Sequence, residues 1–178
     1  MLNRLSGHFE ILFLYIPNWV LWLLLIVLIF GVVKVFCKRG LRDSLRQISL
    51  LILCDYVVLL FLSTVFFRRE RPERTVYFTP FWSYKAISEG QTELLAENIL
   101  NVIAFIPIGL LIKIGSPIWT WKKVFVMGCL ISLCVEIFQY ILNKGFCEID
   151  DVIHNAIGCL IGIGLACLII KSKRLMKI

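Results

Sequence analysis

The chain is 178 residues long, 60% of them hydrophobic and 17% charged, with a mean hydropathy of +0.88. An ordinary soluble domain carries roughly 25% charged residues, so too few polar side chains are present to cover a soluble core; a soluble globular enzyme, a disordered chain and a secreted disulfide scaffold are excluded, and an integral membrane protein remains. The net charge of +7 reads as topogenic Lys and Arg in the loops of such a protein, not as a nucleic-acid footprint.

Five apolar runs follow in chain order: 16–33, 48–67, 94–112, 124–142 and 152–170. Each is near the length of about 20 residues that crosses the hydrocarbon as a helix. They are continuous, without the alternation of a barrel strand, which predicts an all-α polytopic protein forming one membrane domain over 1–178. The first run has no charged segment before it beyond Arg4 and no small-x-small site after it, so it reads as a retained helix and not as a cleaved leader. Twelve Lys and Arg fall after the first run, after the third and in the C-terminal tail; seven fall on the other side. The richer side is expected to be cytoplasmic, which puts the N-terminus outside and the C-terminus inside. The seven cysteines lie mostly within apolar runs with no CxxC, and read as small membrane residues.

Residues 68–93, between the second and third runs, are expected outside. They begin with Arg68, Arg69, Arg71 and Arg74, either a solvated charge run or a contact for lipid phosphate, which the planar guanidinium fork suits. Tyr77, Phe78, Phe81, Trp82 and Tyr84 around Pro80 then read as an interfacial aromatic segment at headgroup level.

Once orientation is fixed, polar residues in three runs share one depth. Asn98 and Asn101 lie one turn apart near the outer end of the third run, Glu136 and Gln139 near the outer end of the fourth, and Asp151 and Asn155 at the outer start of the fifth. Such groups are costly in lipid and face a bundle interior or a polar cavity. The amides also fit plain helix-to-helix hydrogen bonding, and Gly158-xxx-Gly162 reads as close packing. Glu148, Asp150 and Asp151 suit the start of a helix, yet three acids beside Glu136 also point to a cation site or to acid/base groups. Asp150 and His154 offer a conceivable metal pair without zinc spacing, and no metal or cofactor is expected.

These residues fall in recognisable segments. Asn98-x-x-Asn101-x-x-x-Phe105-x-Pro107-x-Gly109, Glu136-x-x-Gln139 and Ile149-Asp150-Asp151-x-x-x-Asn155-x-x-Gly158 resemble the motifs of the VanZ-like family, and Pro80-Phe81 resembles its P-F pair. The resemblance covers 68–170. It departs where the family usually has an Arg and an Asp before its acidic pair; here Gly145 stands first, beside Lys144, and Glu148 second. The resemblance implies a multi-pass protein of the bacterial cytoplasmic membrane, in a family whose name-giving members are associated with resistance to teicoplanin and other lipoglycopeptides through a change of the cell surface.

Three functions follow as expectations. In the first, the protein alters access to surface lipids or lipid-linked wall precursors by binding a headgroup in an outer polar cleft, with Asn98, Asn101, Gln139, Asp150, Asn155, Arg68 and Arg71 as binding residues. In the second, an intramembrane enzyme acts on a polyprenyl-phosphate or phospholipid headgroup, with Glu136 or Asp151 as general base. The third, a small transporter using Glu136 as coupling carboxylate, is opposed by the lack of an internal repeat. Membrane lipids are the expected partners, nucleic acid is not, and nothing in the sequence sets an oligomeric state.

Overall fold

The computed structural model describes residues 16–38, 41–68, 70 and 74–175. Within them lie α1 (Asn18–Lys38), α2 (Leu41–Phe61) continued by a π-helical turn (Leu62–Phe66), β1 (Val76–Tyr77), the short α3 (Trp82–Ser88), α4 (Glu93–Gly115), α5 (Trp121–Leu142), β2 (Cys147–Glu148) and α6 (Ile149–Leu175). Five of these helices are long and apolar enough to cross a membrane, and they fall on the five apolar runs. Each leaves large apolar side chains on its outside, α1 most of all: Trp19, Trp22, Ile26 and Phe30 are all more than half exposed. An apolar exterior is what lipid requires, since burial inside the protein gains little over burial in hydrocarbon.

The centre of the bundle is the parallel pair α4 and α6. Their backbones touch because glycine faces carbonyl at three places. A methyl group built on Gly158 would run into the carbonyl oxygen of Val102, one on Gly162 into that of Ile106, and one on Gly109 into that of Cys159. Around this contact Phe105, Ile108, Ile112, Cys159 and Ile163 are packed with Leu60, Val124 and Val135 from α2 and α5. Tyr56 of α2 donates to the Ala104 carbonyl at 2.8 Å, just before the Pro107 break in the α4 hydrogen-bond ladder.

At one end of the bundle α2 closes in its π-helical turn, where Phe67 N donates to Leu62 O, and Ser63 and Thr64 hydroxyls both donate to Leu60 O. The same end holds the start of α4, the end of α5 and the start of α6. Over it lie residues 74–93, which carry regular structure: Val76 and Tyr77 pair in parallel with Cys147 and Glu148, Tyr77 stacks on Trp82, and Trp82–Ser88 forms two helical turns. Nothing local in the sequence signals α3, because its N-terminal donors are satisfied from α6, as described below. At the opposite end Lys113 donates to the Pro117 and Trp119 carbonyls, fastening the α4–α5 connection.

The glycine contact makes a direct prediction. Gly158→Ala must push α6 off the Val102 carbonyl, whereas Gly164→Ala meets open space, with nothing within 4 Å. Thermal melting in detergent should show Gly158→Ala destabilised by about 1–3 kcal/mol, the usual cost of overpacking, and Gly164→Ala unchanged or slightly improved. Equal melting of the two variants would mean that the α4–α6 approach is not sterically set.

Candidate functional site

The site is built at the end of the bundle where α4 and α6 begin, and its first element is a clasp. Asp150, fully buried, accepts hydrogen bonds from the backbone N–H of Phe81 through Oδ1 and from Ser83 N at 3.0 Å and Ser83 Oγ at 2.6 Å through Oδ2. Asn98 Nδ2 in turn donates to Ser83 Oγ at 3.1 Å. Phe81 has φ 63°, left-handed backbone that a bulky residue adopts only when held there; the charge-assisted bonds to Asp150 hold it. One turn along α6, His154 Nε2 meets Tyr84 Oη at 2.9 Å. Asp150 and His154, the pair whose spacing allowed a metal, thus each secure α3 on α6.

The second element is a cluster of acids reached from four directions. Glu136 on α5, 2% exposed, accepts the backbone N–H of Glu148 through Oε2 at 3.0 Å. Asp151, next to Asp150 in sequence but turned about 100° around the helix, is hydrogen-bonded by Asn101 of α4. Glu136 and Asp151 act on each other electrostatically, as Asp151 and Glu97 do, and Arg68, just past the π-helical turn, attracts Glu136, Glu148 and Asp151 together. One turn deeper, Asn155 Nδ2 of α6 donates to the buried Ser132 Oγ of α5 at 2.9 Å, forming the floor. Gln139 Nε2 donates to the Thr64 carbonyl at 3.1 Å and ties α5 to the π-helical turn. A cleft of about 370 Å³ opens at the start of α4, lined by Gly90–Leu94 and Glu97; of its lining, Glu97 acts electrostatically on Glu148 and Asp151.

Of the residues expected from the sequence, Asn101, Glu136, Asp151 and Arg68 come together, with Asn155 below them and Gln139 beside Arg68. Asn98 and Asp150 go to the clasp, where both oxygens of Asp150 are engaged. Arg71 lies outside the described residues. Arg68 Nη1 stands 3.1 Å from the position a Gly145 methyl would take, so a guanidinium from the other loop lies beside the position where the motif departs. Lys144 instead pairs with Glu70 at 3.0 Å in solvent. The sequence gives no signal for Thr64 or Ser132, and places Ser83 and Tyr84 only in the interfacial aromatic segment, whereas in the fold all four meet partners far along the chain.

Outside the membrane-spanning helices, Glu148 is pushed up to about 8, first by burial and then by Asp151 and Glu97, with Arg68 opposing. The Cys147 thiol is raised as well, by burial first and then by Glu136, Glu148 and Asp151. Glu148 holds its proton in the fold well above the ordinary carboxylate range. At Glu148 the folded state therefore binds more proton than the unfolded one between the ordinary value of 4.5 and about 8, and its contribution to stability falls as pH rises through that window. In melts from acid to mildly alkaline pH, Glu148→Gln should show a shallower fall than the wild type. An unchanged slope would mean that Glu148 ionises in the fold as it does in water.

Residues 47–170, more than half the chain, match the VanZ/LLP1 family. Protein VanZ of Enterococcus faecium is 34% identical over 93 residues, which cover 52% of this chain and 53% of that protein. The chain thus spans about half the length of that relative. No solved structure matches.

Proposed function

Because the chain belongs to the VanZ/LLP1 family, we propose that it is a protein of the bacterial cell membrane that alters the cell surface, or access to lipid-linked wall precursors, by holding a lipid headgroup at the polar end of the bundle, where a cleft opens at the start of α4. One observation carries this reading: Glu136, Asp151, Asn101 and Asn155, on three helices with apolar exteriors, converge with Arg68 at one end of the bundle, beside an open cleft. Buried polar groups at the edge of a membrane are costly unless they meet each other or a polar ligand. Only at such an edge does a lipid present a headgroup to groups of this kind.

The lysine distribution supports an outward cleft, with Lys113, Lys122 and Lys123 at the opposite end of the bundle. The link to teicoplanin and lipoglycopeptide resistance is the one the family resemblance implies, and the similarity to protein VanZ supports the family reading on which it rests. An enzymatic reading, with Glu136 or Asp151 as general base on a headgroup, draws on the same carboxylates and differs in leaving a chemically altered lipid.

Orientation is tested with single cysteines in a background lacking the native ones. Cys147 is a poor reporter, half-buried with a thiol that resists ionisation; Glu89→Cys and Lys122→Cys place the label at exposed positions at opposite ends. An impermeant maleimide added to intact cells should label the first and spare the second; the reverse pattern overturns the outward cleft.

The role of the cleft is tested with Glu136→Gln, which keeps shape and an acceptor for the Glu148 N–H but cannot ionise. Membrane abundance should stay near normal, while headgroup binding falls by about tenfold or more, the loss of one charge-assisted contact, together with any lipoglycopeptide protection the wild type confers. Full binding and protection at wild-type abundance would remove Glu136 from the function. Lipid mass spectrometry in the same strains separates the two readings: a new headgroup species present only with the wild type means chemistry, and an unchanged inventory means binding.

A further inference from the structure

The arginines that follow α2 do not share one fate. Arg68 turns inward to the acids, whereas Arg74 turns outward onto the end of α5. The Arg74 guanidinium lies 5.8 Å from the centre of the Tyr140 ring, and its Nη2 donates to the Ile141 carbonyl at 3.3 Å. That carbonyl is among the last of α5, which have no partner within the helix. The chain is anchored directly after the arginine: Thr75 O accepts the Cys147 N–H at 3.2 Å, and Val76 and Tyr77 pair with β2. Ring, carbonyl and strand thus hold an exposed guanidinium in one place. Most of its N–H donors are free, and among the described residues no carboxylate pairs with it. Beside it ends an apolar stripe. Leu130, Leu133, Ile137 and Ile141 are exposed and fall on one side of α5 at helical spacing. The stripe runs along the span Trp121–Leu142, so it reaches the membrane edge at Ile141. That is the level at which a phospholipid carries its phosphate.

We propose that Arg74 seats the phosphate of a phospholipid on the flank of α5, with the acyl chains of that lipid along Leu130, Leu133, Ile137 and Ile141. Charge and shape both argue for this occupant. A guanidinium presents a planar fork that matches two phosphate oxygens, and one already placed by a ring and a carbonyl loses little freedom on binding. A stripe that is apolar along its length and cationic at its end fits a molecule with an apolar body and an anionic head. In a membrane that molecule is a phospholipid. Lys144, just past the end of α5, is taken up by Glu70 at 3.0 Å, which leaves Arg74 as the cation beside the stripe among the described residues. The site therefore reads the phosphate and not what the phosphate carries. It uses none of the acids, and it stands apart from the headgroup reading above.

The test uses the full chain purified in a neutral detergent, with thermal stabilisation read against added short-chain lipids. Dihexanoyl phosphatidylglycerol and dihexanoyl phosphatidylcholine should both raise the melting temperature at concentrations about tenfold lower than dihexanoylglycerol, which has the same chains and no phosphate. Glycerophosphoglycerol, the phosphate without the chains, should be inactive at those concentrations; stabilisation by it overturns the lipid assignment. Arg74→Gln, melted first without lipid to establish that it folds, should lose the tenfold preference for phosphate. Should that variant not fold, Tyr140→Leu serves in its place: it removes the ring under the guanidinium at an exposed position and should weaken the preference severalfold. Lys122→Gln removes an exposed cation at the opposite end of the bundle and should keep the preference whole. Loss in Lys122→Gln with retention in Arg74→Gln moves the phosphate to that end and overturns the Arg74 site. Stabilisation by dihexanoylglycerol equal to that by the phospholipids also overturns it. Either result leaves headgroup binding by the acid cluster standing, since that reading is tested separately through Glu136→Gln.

Discussion

The contact on which the rest of the structure depends is that of α4 with α6, where Gly158 and Gly162 lie against the carbonyls of Val102 and Ile106, and Gly109 against that of Cys159. In lipid no hydrophobic force drives one apolar helix onto another, so association relies on close van der Waals packing, and glycine brings backbones nearest. The contact fixes the register of two parallel helices. With Gly158 on Val102, the turns before them hold Asp151 and Asn101 within hydrogen-bonding reach at the membrane edge. A bulkier residue at any of these glycines would separate the very turns that carry the polar groups.

The two adjacent aspartates divide the work of the α6 start. Asp150 turns toward 68–93 and satisfies the donors of Phe81 and Ser83, which gives a seven-residue helix the N-terminal partners it lacks locally. Asp151 turns toward α4 and the acids. The clasp stabilises a left-handed Phe81 that would otherwise be unfavourable, and it leaves Phe78 and Phe81 exposed at the membrane edge. With Asn98 bonded to Ser83, and His154 to Tyr84, α3 is fastened to both helices of the central pair. Loop and bundle therefore form one unit around the cleft.

Electrostatics explains why this end of the bundle is costly to build. Carboxylates from α5, β2 and α6 are brought together in a partly dehydrated space, and burial together with mutual repulsion holds Glu148 protonated through neutral pH. Arg68 offsets part of that repulsion, and backbone and amide donors offset more. As a purely structural device such an arrangement is costly, because well-packed apolar groups could replace it at little loss.

Much of this was legible in the sequence. Five continuous apolar runs of spanning length fixed five long helices, because hydropathy acts locally and independently of partners. The depth of Asn101, Glu136, Asp151 and Asn155 followed from counting along each run, since a helix rises by the same amount per residue wherever it sits. What each polar residue does was decided by tertiary structure. Asp150 and Asp151 look alike as neighbours, yet they point to different partners 69 and 50 residues away: Phe81 at the clasp and Asn101 in the cluster. Asn98 and Asn101, one turn apart, part in the same way. Helix α3 and the place of Arg68 beside Gly145 had no local signal, because the groups they meet come from distant parts of the chain. Local periodicity sets which residues lie near the membrane edge; only the packing of α4 on α6, and of the loop on both, sets which atoms meet there.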